Sequence, residues 1–217
     1  MEEKLNVFLE DLLRRYPILT ECRCDISSAY SLLEKCFSYG HKLLVVGNGG
    51  SCSDGKHIVG ELMKGFKKKR KCSLSFSERL KTIDNERGSL LTDQLQETLE
   101  TISLNSNSSL ETAFANDVKD GGLSAFAQQV YGYGKCGDVI LCISTSGNSE
   151  NIIRAAIVAK ALEMKVLLLT GKTGGKLASL SDVAIKVPLS ETFLIQEMHL
   201  PIYHCLCLML EEHFYKE

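Results

Sequence analysis

Six consecutive residues, Ser144-Thr145-Ser146-Gly147-Asn148-Ser149, put four hydroxyls, an amide and one glycine into a single short stretch. Hydroxyls and backbone N–H groups in such a loop donate hydrogen bonds to an anion. No lysine of a Walker loop accompanies them, so a phosphate monoester suits the stretch better than a metal–triphosphate. The bland alternative is a serine-rich βα turn with a helix cap, and four hydroxyls in six residues argue against it. A second group is His57 with Glu61, four apart, which places both on one face of a helix. Such a couple can chelate a metal or move a proton, although spacing alone more often marks an exposed polar pair. A third group is Gln196, His199 and His204 in IQEMHLPIYH. Apolar neighbours surround His204, a pattern that more often marks a hydrogen-bonded core histidine than a catalyst.

The elements that must position these groups are legible around them. Residues 139–143 form an unbroken apolar run, the pattern of a strand buried on both faces. From Ile152 the apolar positions 152, 153, 156, 157 and 159 follow helical spacing, with Ser149 as N-cap. Strand, hydroxyl loop and helix N-terminus together make an anion site, where backbone N–H groups and the helix dipole face a phosphate. Residues 42–46 predict another buried strand, ending in Gly47-Asn48-Gly49-Gly50-Ser51 and leading into a helix over 53–66. The glycines imitate a dinucleotide fingerprint, but that reading needs an acid closing the next strand about 20 residues on. The next strand lies much further away, and strand 165–170 also ends without an acid.

Amphipathic helices are expected over 3–16 and 27–39 and a helix over 125–133, with strands over 101–104, 165–170 and 184–187 and a short helix near 176–179. Residues 105–109 form a polar segment placed to approach a ligand. A last helix from about Ile195 stays apolar through residues 205–210, as expected of a buried or subunit-interface helix. Buried strands alternating with helices predict an α/β fold with a parallel sheet covered on both faces.

A chain of 217 residues with 44% apolar content suits one domain with a sizeable core. Its net charge of -2 gives no general attraction to nucleic acid or membrane. The N-terminus is charged throughout, and no apolar run approaches the ~20 residues of a membrane span. The expected setting is soluble and cytoplasmic. The nine cysteines are odd in number and form no CxxC pair, which argues against a disulfide framework. Cys142, Cys205 and Cys207 read as small core residues, and Cys52 sits near a helix start. The basic run at 67–71 reads as a solvated face complementing a helix C-terminus. Residues 72–100 are polar, with helical character near 90–99.

The STSGNS loop, the GNGGS turn, the HxxxE spacing of His57 and Glu61, and QExHxxxxH over 196–204 resemble the sugar isomerase (SIS) domain family. Within it the resemblance is strongest to the phosphoheptose isomerases and covers residues 42–215. It implies a single SIS domain over 1–217, flavodoxin-like, with a central five-stranded, mainly parallel sheet. Residues 1–40 would supply N-terminal helices and residues 67–100 an insertion. Ser144, Thr145, Ser146 and Ser149 would grip the phosphate of a phosphosugar. Asn48, Gly49, Ser51, Asn116, Asp117 and Gln196 would contact the rest of the substrate.

The implied reaction is an aldose–ketose isomerisation through an enediol, with Glu61 as base and His204 as partner acid/base. The implied substrate is sedoheptulose 7-phosphate, giving D-glycero-D-manno-heptose 7-phosphate. Zinc would be held by His57, Glu61, Gln196 and His204, in a homo-oligomer, expected to be a tetramer. Gln196 and His204 are eight residues apart, about 12 Å along a straight helix. Sharing one ion requires a bend at Pro201, a helix starting after Gln196, or ligands from two chains. Three positions depart from the family pattern: Gly65 where an arginine is expected, Asn107 where an aspartate is, and Phe193 where an acid is. Non-catalytic relatives that bind a replication initiator or sense a phosphosugar for a regulator are the alternatives. The joint presence of Glu61 and His204 argues against the first. The second lacks a helix-turn-helix ahead of the SIS part.

Overall fold

Five short runs rich in leucine, valine and isoleucine build the sheet: β1 (Leu43–Gly47), β2 (Thr101–Ser103), β3 (Val139–Ser144), β4 (Lys165–Thr170) and β5 (Val183–Lys186). All pair in parallel, in the order β2-β1-β3-β4-β5, as a computed structural model covering residues 3–215 describes them. Every residue of β1 and β3 is buried, which is why these strands read as continuous apolar runs.

Successive residues face opposite sides, so each strand feeds two cores. Leu43, Val45, Leu141, Ile143, Leu167 and Leu169 point to one side. There they meet α1 (Glu3–Arg15), α2 (Arg23–Ser38), α3 (Gly50–Leu62) and α9 (Thr192–Phe214). Leu44, Val46, Ile140, Cys142, Val166 and Leu168 point to the other, against α7 (Gly121–Tyr133) and α8 (Glu150–Ala161). The remaining helices are α4 (Leu74–Ile83), α5 (Asn85–Gln94) and α6 (Ser108–Asp117). Strand order reverses at β1, whose neighbours β2 and β3 lie on opposite sides. The carboxyl ends of β1 and β3 therefore flank a switch point, the usual ligand crevice of an open α/β sheet.

Several local expectations change. α3 starts three residues earlier than the sequence suggests and stops at Leu62, so the basic run lies beyond the helix. Nor is that run wholly a solvated face. Lys67, Lys69 and Lys71 are exposed, but Arg70 is buried and paired with Glu211 at 3.0 Å. Residues 72–100 hold two capped helices, with Ser73 and Asp84 accepting from the backbone N–H groups of Phe76 and Arg87. Helicity ends at Gln94, short of the expected Leu99.

α9 does meet the length and composition of a membrane span, against the expectation that no run comes near it. It packs instead against α1, α2 and α3, and 56% of its apolar window is buried within the fold. It is a core helix. Cys142, Cys205 and Cys207 are buried as expected, and all nine cysteines, which lie among the described residues, are free thiols.

Candidate active site

Both loops that the sequence singles out leave the sheet at the switch point, and they face each other across a cavity of about 330 Å³. Asn48, Gly49, Ser51, Ser144, Thr145, Ser149 and Gln196 line it, as does Thr192, which no sequence pattern marks. Ser149 is the N-cap of α8, yet its hydroxyl bonds no backbone N–H and lies 3.3 Å from the Ser144 hydroxyl. Both hydroxyls therefore stand beside a helix N-terminus with capacity to spare for an anion. Gly49 takes a φ of 55° at the entry to α3, a conformation that glycine adopts without steric cost. Gly50 makes room for Gln196, whose Nε2 would stand 2.7 Å from an added Cβ.

Two asparagines that the sequence reading missed hold the cavity in shape. Asn151, in the first turn of α8, exchanges a reciprocal pair of hydrogen bonds with Asn48, at 3.0 and 2.9 Å, tying that helix to the glycine-rich turn. Asn105 grips both the N–H and the carbonyl of Gly47, at 3.2 and 2.8 Å. It thus anchors the end of β1, although its segment was expected to approach a sugar. Ser146 does not line the cavity; its hydroxyl accepts from the Asn148 N–H within the loop. Asn116 and Asp117 end α6, bonded to each other at 2.9 Å, and do not line it either.

A second group sits where α3 crosses α9. His57 Nε2 lies 3.1 Å from Glu61 Oε1 and 3.4 Å from His204 Nε2. One ligand atom from each of the three falls within 4.8 Å of the others. The second carboxylate oxygen of Glu61 is buried without a hydrogen bond among the described residues, the Lys64 ammonium being 3.7 Å away. Burial, and then the neighbouring His57, lower the His204 pKa and favour its neutral form. Two imidazoles and a carboxylate with an orphaned oxygen fit a zinc ion, with positions left for substrate.

Behind the trio, the Tyr203 hydroxyl is 3.0 Å from His57 Nδ1 and 3.4 Å from Asp54 Oδ1. His199 does not join either group. It is fully buried, no well-formed hydrogen bond reaches either ring nitrogen among the described residues, and burial pushes its pKa down to about 4, only partly offset by a weak contact with the Thr170 backbone. Gln196 lines the cavity between the two loops, and α9 runs unbroken from Thr192 through both Gln196 and His204. One chain thus gathers three of the four expected metal ligands and carries the fourth to the other group.

Comparison with known proteins gives this geometry its context. The SIS domain family model matches residues 121–209. A phosphoheptose isomerase of Helicobacter pylori is 41% identical over 187 residues, 86% of this chain and 82% of its own. The chain belongs to the phosphoheptose isomerase family. A relative from Nitratiruptor is 38% identical over 89% of both chains. The solved structure of a phosphoheptose isomerase from Francisella tularensis superposes with a TM-score of 0.74 at 30% identity, covering 97% of each chain. That from Neisseria gonorrhoeae gives 0.70 at 28% identity, covering 97% of this chain and 98% of its own.

Two of the three positions departing from the family pattern have local reasons here, and nothing in the structure explains Phe193. At Gly65 a Cβ would overlap the Lys68 carbonyl oxygen, and the Gly65 N–H donates to Gln96 at 2.8 Å. Asn107 caps α6, accepting from the Leu110 N–H at 3.2 Å. Phe193 stands exposed in the first turn of α9.

Proposed function

We propose that this phosphoheptose isomerase family member interconverts sedoheptulose 7-phosphate and D-glycero-D-manno-heptose 7-phosphate by proton transfer through an enediol. The observation that carries this reading is Glu61. Its carboxylate has a buried oxygen without a hydrogen bond, stands beside two imidazoles, and belongs to the helix that begins at the cavity turn. The hydroxyls of Ser144, Thr145 and Ser149 and the N-terminus of α8 hold the phosphate. Ser146, Asn116 and Asp117 remain candidates for contacts that form when substrate binds. Asn48, Gly49, Ser51 and Gln196 border the sugar. Glu61 takes the proton from the hydroxyl-bearing carbon next to the carbonyl, and a proton returns at the former carbonyl carbon. His204, favoured neutral, exchanges protons with the two oxygens.

A zinc held there would supply positive charge to polarise the carbonyl oxygen. His57, Glu61 and His204 would hold it, with Gln196 contributed by a second copy of the chain. Two observations support a composite site. Gln196 and His204 are about 12 Å apart along α9, and the His57 side chain is 43% exposed in one chain. The active form is then a homo-oligomer, read as a tetramer, in the cytoplasm, with no nucleic-acid or membrane partner. Residues 1–217 make one SIS domain, in which 1–40 are covering helices and 67–100 an insertion. The test is incubation with a panel of five- to seven-carbon ketose phosphates, followed by NMR. Aldose should form fastest from the seven-carbon substrate, and no aldose from any of them would overturn the reading.

A further inference from the structure

His57 touches different partners with its two ring nitrogens. Nε2 faces Glu61 and His204, while Nδ1 meets the Tyr203 hydroxyl at 3.0 Å. Tyr203 is buried, and its oxygen also lies 3.4 Å from Asp54 Oδ1. The two rings meet edge-on, with centroids 5.5 Å apart. A phenol carries one proton and cannot donate to both neighbours.

With a neutral His57 and an ionised Asp54, two arrangements satisfy the chain of contacts. In one, Tyr203 donates to His57 Nδ1, and Nε2–H is spent on Glu61. In the other, Tyr203 donates to the Asp54 carboxylate, Nδ1–H donates to the phenol oxygen, and Nε2 keeps a free lone pair. The second arrangement alone lets His57 act beside Glu61 and His204 as a ligand. It is available because Asp54, one turn before His57 on α3, supplies the acceptor. No other hydrogen bond to the Asp54 side chain occurs among the described residues.

We propose that Tyr203, backed by Asp54, is a positioning residue that fixes the ring and tautomer of His57 with the Nε2 lone pair aimed between Glu61 and His204. This rests on the metal reading of the trio and adds to it the pair that makes His57 a ligand. Outer hydrogen bonds of this kind typically contribute 10- to 100-fold to metal affinity.

The test is zinc affinity of the full chain, by competition with a chelating dye, together with nitrogen NMR of labelled histidine. Tyr203→Phe keeps the buried ring and removes only the hydroxyl. It should weaken zinc binding by ~10- to 100-fold. Asp54→Ala should weaken it too, and the double variant should bind no worse than Tyr203→Phe, since the two act in series. In zinc-loaded wild type, His57 should show a protonated Nδ1. Zinc affinity of Tyr203→Phe within about twofold of wild type, or an unprotonated Nδ1, overturns the proposal. If wild type takes up no zinc, the metal reading fails separately and the metal-free spectra decide the relay. There, a His57 proton on Nδ1 that Tyr203→Phe shifts toward Nε2 upholds the proposal, and a proton already on Nε2 in wild type, or one on Nδ1 that Tyr203→Phe leaves in place, overturns it.

Discussion

Ser144 and Ser149 face each other across the mouth of the phosphate loop with no backbone N–H to satisfy. Each can therefore donate to a bound phosphate. Replacing both with alanine should weaken phosphosugar binding at least tenfold by calorimetry, since hydrogen bonds to charged groups are worth ~1.5–3 kcal/mol each. Unchanged affinity would remove the loop from the account. His199 makes a different prediction. Its folded pKa of about 4 lies below the ordinary 6.5, so on acidification the unfolded chain takes up the proton first. Stability is complete above pH ~6.5 and falls by about 3 kcal/mol as the pH drops to about 4. Urea unfolding from pH 7 to 4 should show this loss, and His199→Leu should flatten it. The clustered hydroxyls and the His57–Glu61 couple were legible because several chemically similar residues share one spacing. Asn105, Asn151, Asp54 and Tyr203 were not, because each is a single polar residue whose partner lies far away in sequence.

At the scale of elements, the end of α3 decides where Glu61 stands. Arg70 donates to the carbonyls of Leu62 and Glu61, at 2.7 and 3.3 Å, and so caps the helix from within the core. Its charge is matched by Glu211, which also accepts from the N–H groups of Phe66, Lys67 and Lys68. Burial would raise the Glu211 pKa, but the Lys67 and Phe66 N–H groups and the Arg70 charge outweigh it and hold it below its usual value. Its contribution is thus fully present above pH ~4.5 and is lost as the pH falls through the lower folded value. Glu211→Gln leaves Arg70 buried without a counter-charge. It should lower the unfolding free energy by ~3–5 kcal/mol in urea. A loss below about 1 kcal/mol would mean the pair is dispensable. The sequence showed the basic run but not this bond, since Arg70 and Glu211 are 141 residues apart. β1, β3 and β4 read well because burial on both faces makes each a nearly unbroken apolar run. α4 did not, because Leu74 and Ile83 are exposed and its pattern marks no buried stripe.

For the whole molecule, the switch point of the sheet sets the cavity proposed for the phosphate, and the crossing of α3 with α9 sets the trio of His57, Glu61 and His204. Gln196 and His204 share α9, which places one at each. A site needing all four residues then takes them from two copies. Light scattering should show an oligomer at micromolar concentration, and a stable monomer would contradict this arrangement. Mixing inactive His57→Ala and Gln196→Ala chains before assembly should restore roughly a quarter of the sites, since each site then draws intact residues from different copies. No recovery would confine the site to one chain. The central claim, that Glu61 makes this protein an isomerase, is tested most directly by NMR of sedoheptulose 7-phosphate in deuterated water. Wild type should convert it to the aldose and place solvent deuterium at the former carbonyl carbon. Glu61→Gln, with its zinc content matched to wild type, should do so ~10²–10⁴-fold more slowly. Conversion by Glu61→Gln at the wild-type rate, or wild type that binds the sugar phosphate and exchanges nothing, would contradict the account.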